Sequence, residues 1–226
     1  MKTTAFIPIK MNNERIPGKN TKEFSDGTPL IHFVQKTLLK VKEIDDIYVF
    51  CSNEKINDYI LDGIKFLKRP EILDTQKTVC GDIIRTFLNM VPSDIYIMAN
   101  ATSPFILPER FIQSIRAIKS GEYDSAFAAK KLQNFMWYRG KPLNFSLDYA
   151  PRTQDMEPYF CELSSPYSFT KEVFEKIGGR TGNKPFICEC TDVEAIDIDY
   201  PEDFELADTV YMNLLKPQEA GNDKFN

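Results

Sequence analysis

Short apolar runs alternate along this chain with segments of helical periodicity, and that order leaves few folds open. Ala5 to Ile9, Ile47 to Cys51, Ile64 to Leu67, Asp94 to Met98 and Ser125 to Ala129 read as strands. Between them, Pro29 to Ile44, Thr78 to Val91 and Pro108 to Lys119 carry apolar residues at helical spacing. Continuous apolar strands are those covered on both faces, and strand–helix alternation supplies the cover. The pattern predicts a doubly wound, mainly parallel α/β sheet. Later in the chain, Thr170 to Ile177 reads as a helix closed by Gly178-Gly179, and Phe186 to Cys190 and Glu194 to Ile198 read as strands. Pro201 to Leu215 reads as the last helix, with Glu202 and Asp203 favouring its N-terminus.

One stretch breaks the rhythm. Residues 132–169 combine Trp137, Phe135, Tyr138, Phe145, Tyr149, Tyr159 and Phe160 with Pro142, Pro151, Pro158 and Pro166. That is too broken for a sheet and too aromatic for a solvated linker, so it reads as an inserted segment covering a site or a subunit interface. The 226 residues suit a single domain over 1–215 with this insertion, and a disordered tail over 216–226.

Composition removes several chemistries. The apolar runs are too short to span a bilayer and the start has no signal-peptide core, so cytoplasm is the expected location, with no membrane partner. His32 is the lone histidine and sits in the apolar Pro29-Leu-Ile-His-Phe-Val, which argues against a Ser-His-Asp or Cys-His arrangement. Cys188-Glu-Cys190 has no second pair, so zinc is not expected and the five cysteines read as structural thiols. Carboxylates, amines and amides must carry whatever chemistry there is.

The first strand empties into a polar loop closed by Pro17-Gly18, and open α/β sheets bind ligands at such strand ends. Residues 1–22 hold Lys2, Lys10, Arg15, Lys19 and Lys22 against Glu14, a local +4 on a chain of net charge −5. A cationic loop on an acidic protein points to a small polyanion rather than to nucleic acid. Asp197 and Asp199, two apart on the expected strand, would face one side and could meet one hard cation.

The loop resembles the opening motif of the cytidylyltransferases that make CMP-activated acid sugars, the acylneuraminate and Kdo type. Arg15-Ile-Pro-Gly-Lys-Asn20 matches that motif residue for residue and Ile7-Pro8 matches its strand end; Lys10 replaces an arginine, and Met11, Asn12 and Asn13 replace small residues. Lys68-Arg-Pro-Glu-Ile-Leu is similar to the segment that closes over the base. Asn100-Ala-Thr-Ser-Pro is similar to the family's Gln-Pro-Thr-Ser-Pro. Ala195-Ile-Asp-Ile-Asp199 before Tyr-Pro-Glu-Asp is similar to its magnesium motif.

The resemblance implies a nucleotide-sugar nucleotidyltransferase fold of Rossmann-like type, and CTP and a small acid sugar as substrates. The products would be a CMP-sugar and pyrophosphate. Lys10, Arg15 and Lys19 would hold the triphosphate, and Asn20 and Arg69 would recognise cytosine. Asn100, Thr102 and Ser103 would face the acceptor, and Arg152, Gln154 and Tyr159 would also bind it, with Arg152 as a partner for its carboxylate. Asp197 and Asp199 would hold Mg2+. A homodimer would form through the aromatic insertion. Lys10, Lys19, Asp197 and Asp199 would carry the catalysis by charge and position, and the residues leave open whether an aspartate also takes the hydroxyl proton. Two alternatives stay open at this point: a different small acid acceptor, of phosphonate or Kdo type, and a catalytically weak nucleotide-binding relative.

Overall fold

The apolar runs become the strands of one seven-stranded sheet. The structure, a computed structural model, describes residues 1–218. In chain order the strands are β1 (Thr3–Ile9), β2 (Asp46–Cys51), β3 (Lys65–Lys68), β4 (Ile95–Met98) and β5 (Ser125–Leu132). They continue with β6 (Trp137–Tyr138), β7 (Lys141–Pro142), β8 (Tyr159–Phe169) and β9 (Pro185–Cys190). The large sheet has the order β3-β2-β1-β4-β8-β5-β9, while β6 and β7 form a separate small ribbon. Its pairs are parallel except where β8 lies antiparallel between β4 and β5.

The helices are α1 (Leu30–Leu39), α2 (Cys80–Met90), α3 (Pro108–Lys119), α4 (Lys171–Ile177) and α5 (Pro201–Val210). Alternate strand residues sort between the two faces. Ile7, Val49 and Ile97 pack with Ile31 and Val34 of α1 and with Phe111 and Ile115 of α3. Phe6, Phe50 and Tyr96 pack with Phe87 of α2 and Phe174 of α4. Phe87 is the centre of that second face: its ring stacks on Phe6 at 4.2 Å and meets Phe50 edge-on at 5.4 Å. Phe87→Ala is expected to cost about 3–5 kcal/mol, read as a lower midpoint in urea unfolding, because a large buried ring leaves a cavity its neighbours cannot fill.

A third apolar cluster fixes the loops at one end of the sheet. Ile16 from the opening loop, Phe105 from the loop after β4, and Ile198 are all buried in it with Phe24, Phe204 and Tyr211. Three of the segments that carry polar candidates are thus each anchored by one apolar residue in a shared pedestal.

Three expectations are corrected. Glu194 to Ile198 is not a strand: the chain turns at Thr191–Ala195 and then runs on without a strand partner among the described residues. The turn is closed by the Glu194 carboxylate, which accepts from the Thr191 amide at 2.9 Å and from Arg110 at 2.8 and 3.0 Å. The insertion is shorter than 132–169, because Leu132 ends β5 and Tyr159–Phe169 is a strand of the main sheet. The first residues of the expected tail are ordered: Lys216 to Gln218 continue the last helix, and Lys216 pairs with Asp26 at 2.9 Å. The rest of the expected tail lies outside the described residues. The last helix also changes character, since Tyr211–Leu215 is a π-helical turn.

Candidate active site

Strand order reverses at β1: β2 and β3 lie on one side of it, β4 and its neighbours on the other. The crevice beyond the carboxyl ends of β1 and β4 is where such sheets take ligands. Four segments meet there.

The first is the loop after β1. Its turn needs Gly18, whose φ of 67° lies in the left-handed region, and the Lys19 amide closes the turn on Ile16 O at 3.0 Å. Asn20 is buried and donates through Nδ2 to Lys10 O at 2.9 Å, with Asn13 Oδ1 at 3.5 Å. Its amide donors are therefore used to shape the loop, leaving Oδ1 as its free end for a ligand. A cavity of about 230 Å³ opens over the loop, lined by Lys10, Asn12, Asn13, Arg15 and Lys19 together with Gln76 and Asp199. Gln76 Nε2 closes one side by donating to Glu14 Oε1 at 2.7 Å.

The second is the segment after β3. Arg69 is 2% exposed, not the surface arginine of a loop. It pairs with Asp74 at 2.5 Å, Asp74 is held in turn by the Ser52 hydroxyl at 2.5 Å, and the Arg69 amide donates to Cys51 O at 2.9 Å. Arg69 Nε is buried with no acceptor among the described residues. Buried donors are seldom left so, because each costs about 1–3 kcal/mol.

The third is the loop after β4, joined to β8. Asn100 Nδ2 donates to Ser164 O at 2.7 Å, the Asn100 amide donates to Ser165 Oγ at 3.1 Å, and Ser103 and Ser164 share a hydroxyl hydrogen bond of 2.7 Å. Asn100 is thus tied to β8 rather than standing free toward an acceptor. Ser164 and Ser165 sit where the β5–β8 register slips, so their groups face the site and not the ladder.

The fourth is Asp197–Asp199. Although the segment is not a strand, Ile198 between the carboxylates is fully buried and its amide donates to Thr102 O at 2.9 Å. Lys19 crosses to this segment: Nζ donates to Ile198 O at 2.6 Å and lies 3.6 Å from Asp199 Oδ1, while Arg15 reaches the same oxygen at 3.2 Å. Asp203 caps α5 by accepting from the Asp199 and Tyr200 amides at 2.9 and 2.8 Å. The two carboxylates differ in environment. Asp199 is half exposed, whereas Asp197 Oδ1 is buried without a partner among the described residues. Burial raises the Asp197 pKa above the ordinary carboxylate value, and the charge of Asp199 adds to this. Hydrogen bonds from Thr102 and Ser164 and the charge of Lys19 pull the other way.

Lys10, Arg15, Lys19, Asn20, Asn100, Thr102, Ser103, Asp197 and Asp199 therefore converge, with Arg69 at the neighbouring strand end. Arg152, Gln154 and Tyr159 do not join them. Arg152 is taken by Asp155 at 2.7 Å, Gln154 is exposed, and Tyr159 opens β8 five residues before Ser164, roughly 16 Å along an extended strand. Sequence reading missed Ser164, Ser165, Asp74 and Gln76; of these, only the hydroxyl pair before Pro166 carried a local signal. The buried thiols Cys188 and Cys190, pushed up to about 12 and about 11 by burial, pack as neutral groups away from these segments.

Comparison with known proteins gives one consistent reading. N-acylneuraminate cytidylyltransferase A of Danio rerio is 28% identical over 215 residues, which cover 91% of this chain and 50% of that protein. The chain thus spans about half the length of this relative. CMP-N,N'-diacetyllegionaminic acid synthase of Legionella pneumophila is 24% identical over 224 residues, covering 92% of this chain and 95% of that protein. Among solved structures, CMP:2-keto-3-deoxy-manno-octonic acid synthetase complexed with CTP shares the fold, with a TM-score of 0.71 at 17% identity over 95% of this chain and 100% of that one. The family profile described as Cytidylyltransferase matches residues 4–213. The chain that carries this loop, this crevice and these carboxylates belongs to the cytidylyltransferase family.

Proposed function

We propose that the protein transfers CMP from CTP to the anomeric hydroxyl of a sialic-acid-like or related acid sugar, releasing pyrophosphate. The observation that carries this is the position of Lys19. One ammonium joins the cationic loop after β1 to the Asp197–Asp199 segment, so a triphosphate in the loop would lie against both carboxylates. Relatives named for acid sugars supply the acceptor class.

In this reading Lys10, Arg15, Lys19 and the loop amides bind phosphate oxygens, and the loop cavity suits a phosphate chain better than a whole nucleotide. Asn100, Ser103 and Ser164 form a rigid floor that orients the acceptor. Mg2+ fits the donor set: two hard carboxylates, one with a buried orphan oxygen, match an ion that takes one or two carboxylates and fills its shell with phosphate and water. Asp197 and Asp199 would hold it, and when bound it would supply positive charge against the oxygens of the transferring phosphate. Pyrophosphate release from CTP, measured across a panel of acid sugars, tests the activity; release with none of them sinks it.

Arg69, with its unpartnered Nε, and Asn20, with its free Oδ1, make the base preference testable. CTP is expected to raise the melting temperature more than UTP, ATP or GTP, because a ligand stabilises the state that binds it. Equal shifts from all four would remove the cytosine assignment.

We also propose a cytoplasmic homodimer formed through the aromatic excursion. Trp137, Tyr138, Leu147 and Tyr149 are each more than half exposed, a density of apolar surface that a lone subunit seldom leaves in water. The excursion leaves β5 and returns into β8 at the same sheet end as the crevice, so it also suits a cover for the acceptor. Light scattering at micromolar concentration should give the dimer mass, and a monomer would refute the interface. No helix among the described residues is long and apolar enough to cross a membrane.

A further inference from the structure

Between α1, the loop after β4 and the last helix lies a cavity of about 450 Å³ that the reaction above does not use. Its walls include Phe33, Phe105, Ile106, Tyr211, Leu214 and Leu215. Of the three rings only Phe33 is partly exposed, and it is held edge-on by the buried Tyr211 at 4.8 Å and 89° and by the buried Phe105 at 5.8 Å and 90°. Tyr211, Leu214 and Leu215 all come from the π-helical turn, a rare conformation that recurs at ligand sites. The turn widens the helix where it faces the cavity.

The mouth is cationic. Lys36 of α1 and Lys40 just past its end line it, and neither is ion-paired among the described residues. The one carboxylate at the wall among the described residues, Glu194, is already held by Arg110 and by Thr191, so it adds no free negative charge. A triphosphate or a polyhydroxylated sugar would leave its polar groups unpaired against such walls. From the ring geometry, the π turn and the two lysines, we propose that this cavity is a second ligand site. Its ligand would be a small aromatic monocarboxylate, with the ring system against Phe33, Leu214 and Leu215 and the carboxylate toward Lys36 and Lys40. The site stands apart from the nucleotide assignment. One wall, Phe105–Ile106, continues from the Asn100–Ser103 floor, and another, Thr191–Glu194, leads into Asp197.

Calorimetric titration of the full chain with 2-naphthoate tests the proposal without any turnover, so its outcome is independent of the proposed reaction. One-to-one binding is expected, and CTP should not displace the ligand. Naphthalene-2-methanol, which lacks the charge, and the Lys36→Glu/Lys40→Glu protein should each weaken binding by roughly five- to tenfold, the sum of two exposed ion pairs. Leu214→Trp, which fills the mouth from a partly exposed position, should abolish it. No saturable binding at millimolar ligand overturns the site, as does binding that survives Leu214→Trp. Displacement by CTP would move the ligand to the catalytic crevice. Binding seen only with Phe225→Ala would make the chain's own last residues the occupant, and that too overturns the proposal.

Discussion

Asp197→Asn is expected to lower turnover by roughly two or more orders of magnitude while raising the melting temperature of the ligand-free protein. The two effects have one cause. Asp197 is a carboxylate whose folded pKa is raised by burial and by the neighbouring charge of Asp199. A raised carboxylate binds its proton more tightly folded than unfolded. Its stabilising contribution is present below the unfolded value, about 3.9, and is lost as pH rises through the folded value. At neutral pH the charged group therefore opposes folding, and asparagine relieves that cost. The Thr102 and Ser164 hydroxyls beside it can turn to accept from the new amide. What asparagine cannot supply is the charge that faces the transferring phosphate and its metal. Asp199→Asn should lose rate on a similar scale with little change in melting temperature, because Asp199 is half exposed. If Asp197 were only a structural carboxylate, stability would fall and activity per folded molecule would stay whole. Near-normal turnover from both variants at saturating magnesium would sink the metal role.

The sequence carried the parts of this site that local chemistry dictates. The strand ending at Ile9, the Pro17-Gly18 turn and the cationic residues around it are read from adjacent positions, and the left-handed Gly18 sits where that turn needs it. The Asp197–Asp199 spacing was legible, but the strand inferred from it was not real. Ile196 and Ile198 alternate with polar residues as a strand would, yet the Ile198 amide is spent on Thr102 O and no strand lies alongside. Ser164 and Ser165 were out of reach for another reason. They face Asn100 because β8 inserts antiparallel between β4 and β5, a pairing across 64 residues that no local pattern announces. The same insertion hid the start of β8: Tyr159, Phe160 and Cys161 pair with the end of β5 yet are exposed, so their aromatic, broken texture looked like part of the excursion. Asn20 was read as a base-facing group from its motif, and its burial under Lys10 O appears only in three dimensions.

Lys19→Gln should move stability in the direction opposite to Asp197→Asn while costing a comparable or larger factor in rate. Lys19 is 12% exposed at its side chain, and its ammonium satisfies the carbonyl of the buried Ile198 at 2.6 Å. Glutamine is shorter by about one bond and neutral, so the carbonyl loses its charged donor, at a cost of about 1–3 kcal/mol seen as a lower melting temperature. The rate should fall by roughly two to three orders of magnitude, because a positioned cation near the transferring phosphate acts most strongly as charge builds on its oxygens. Lys19→Arg keeps the charge and separates the two contributions. Its planar guanidinium is wider than the space around a mostly buried ammonium, so it should recover part of the phosphate affinity but little of the rate. The decisive measurement pairs turnover at saturating CTP with the melting temperature of the same preparations. A glutamine variant within about threefold of normal turnover would show that the ammonium only ties two loops together, since rate losses from a lost transition-state contact are far larger. A variant that loses rate and stability together, beside an Asp197→Asn protein that loses rate and gains stability, places the lysine and the aspartate on opposite sides of one electrostatic balance.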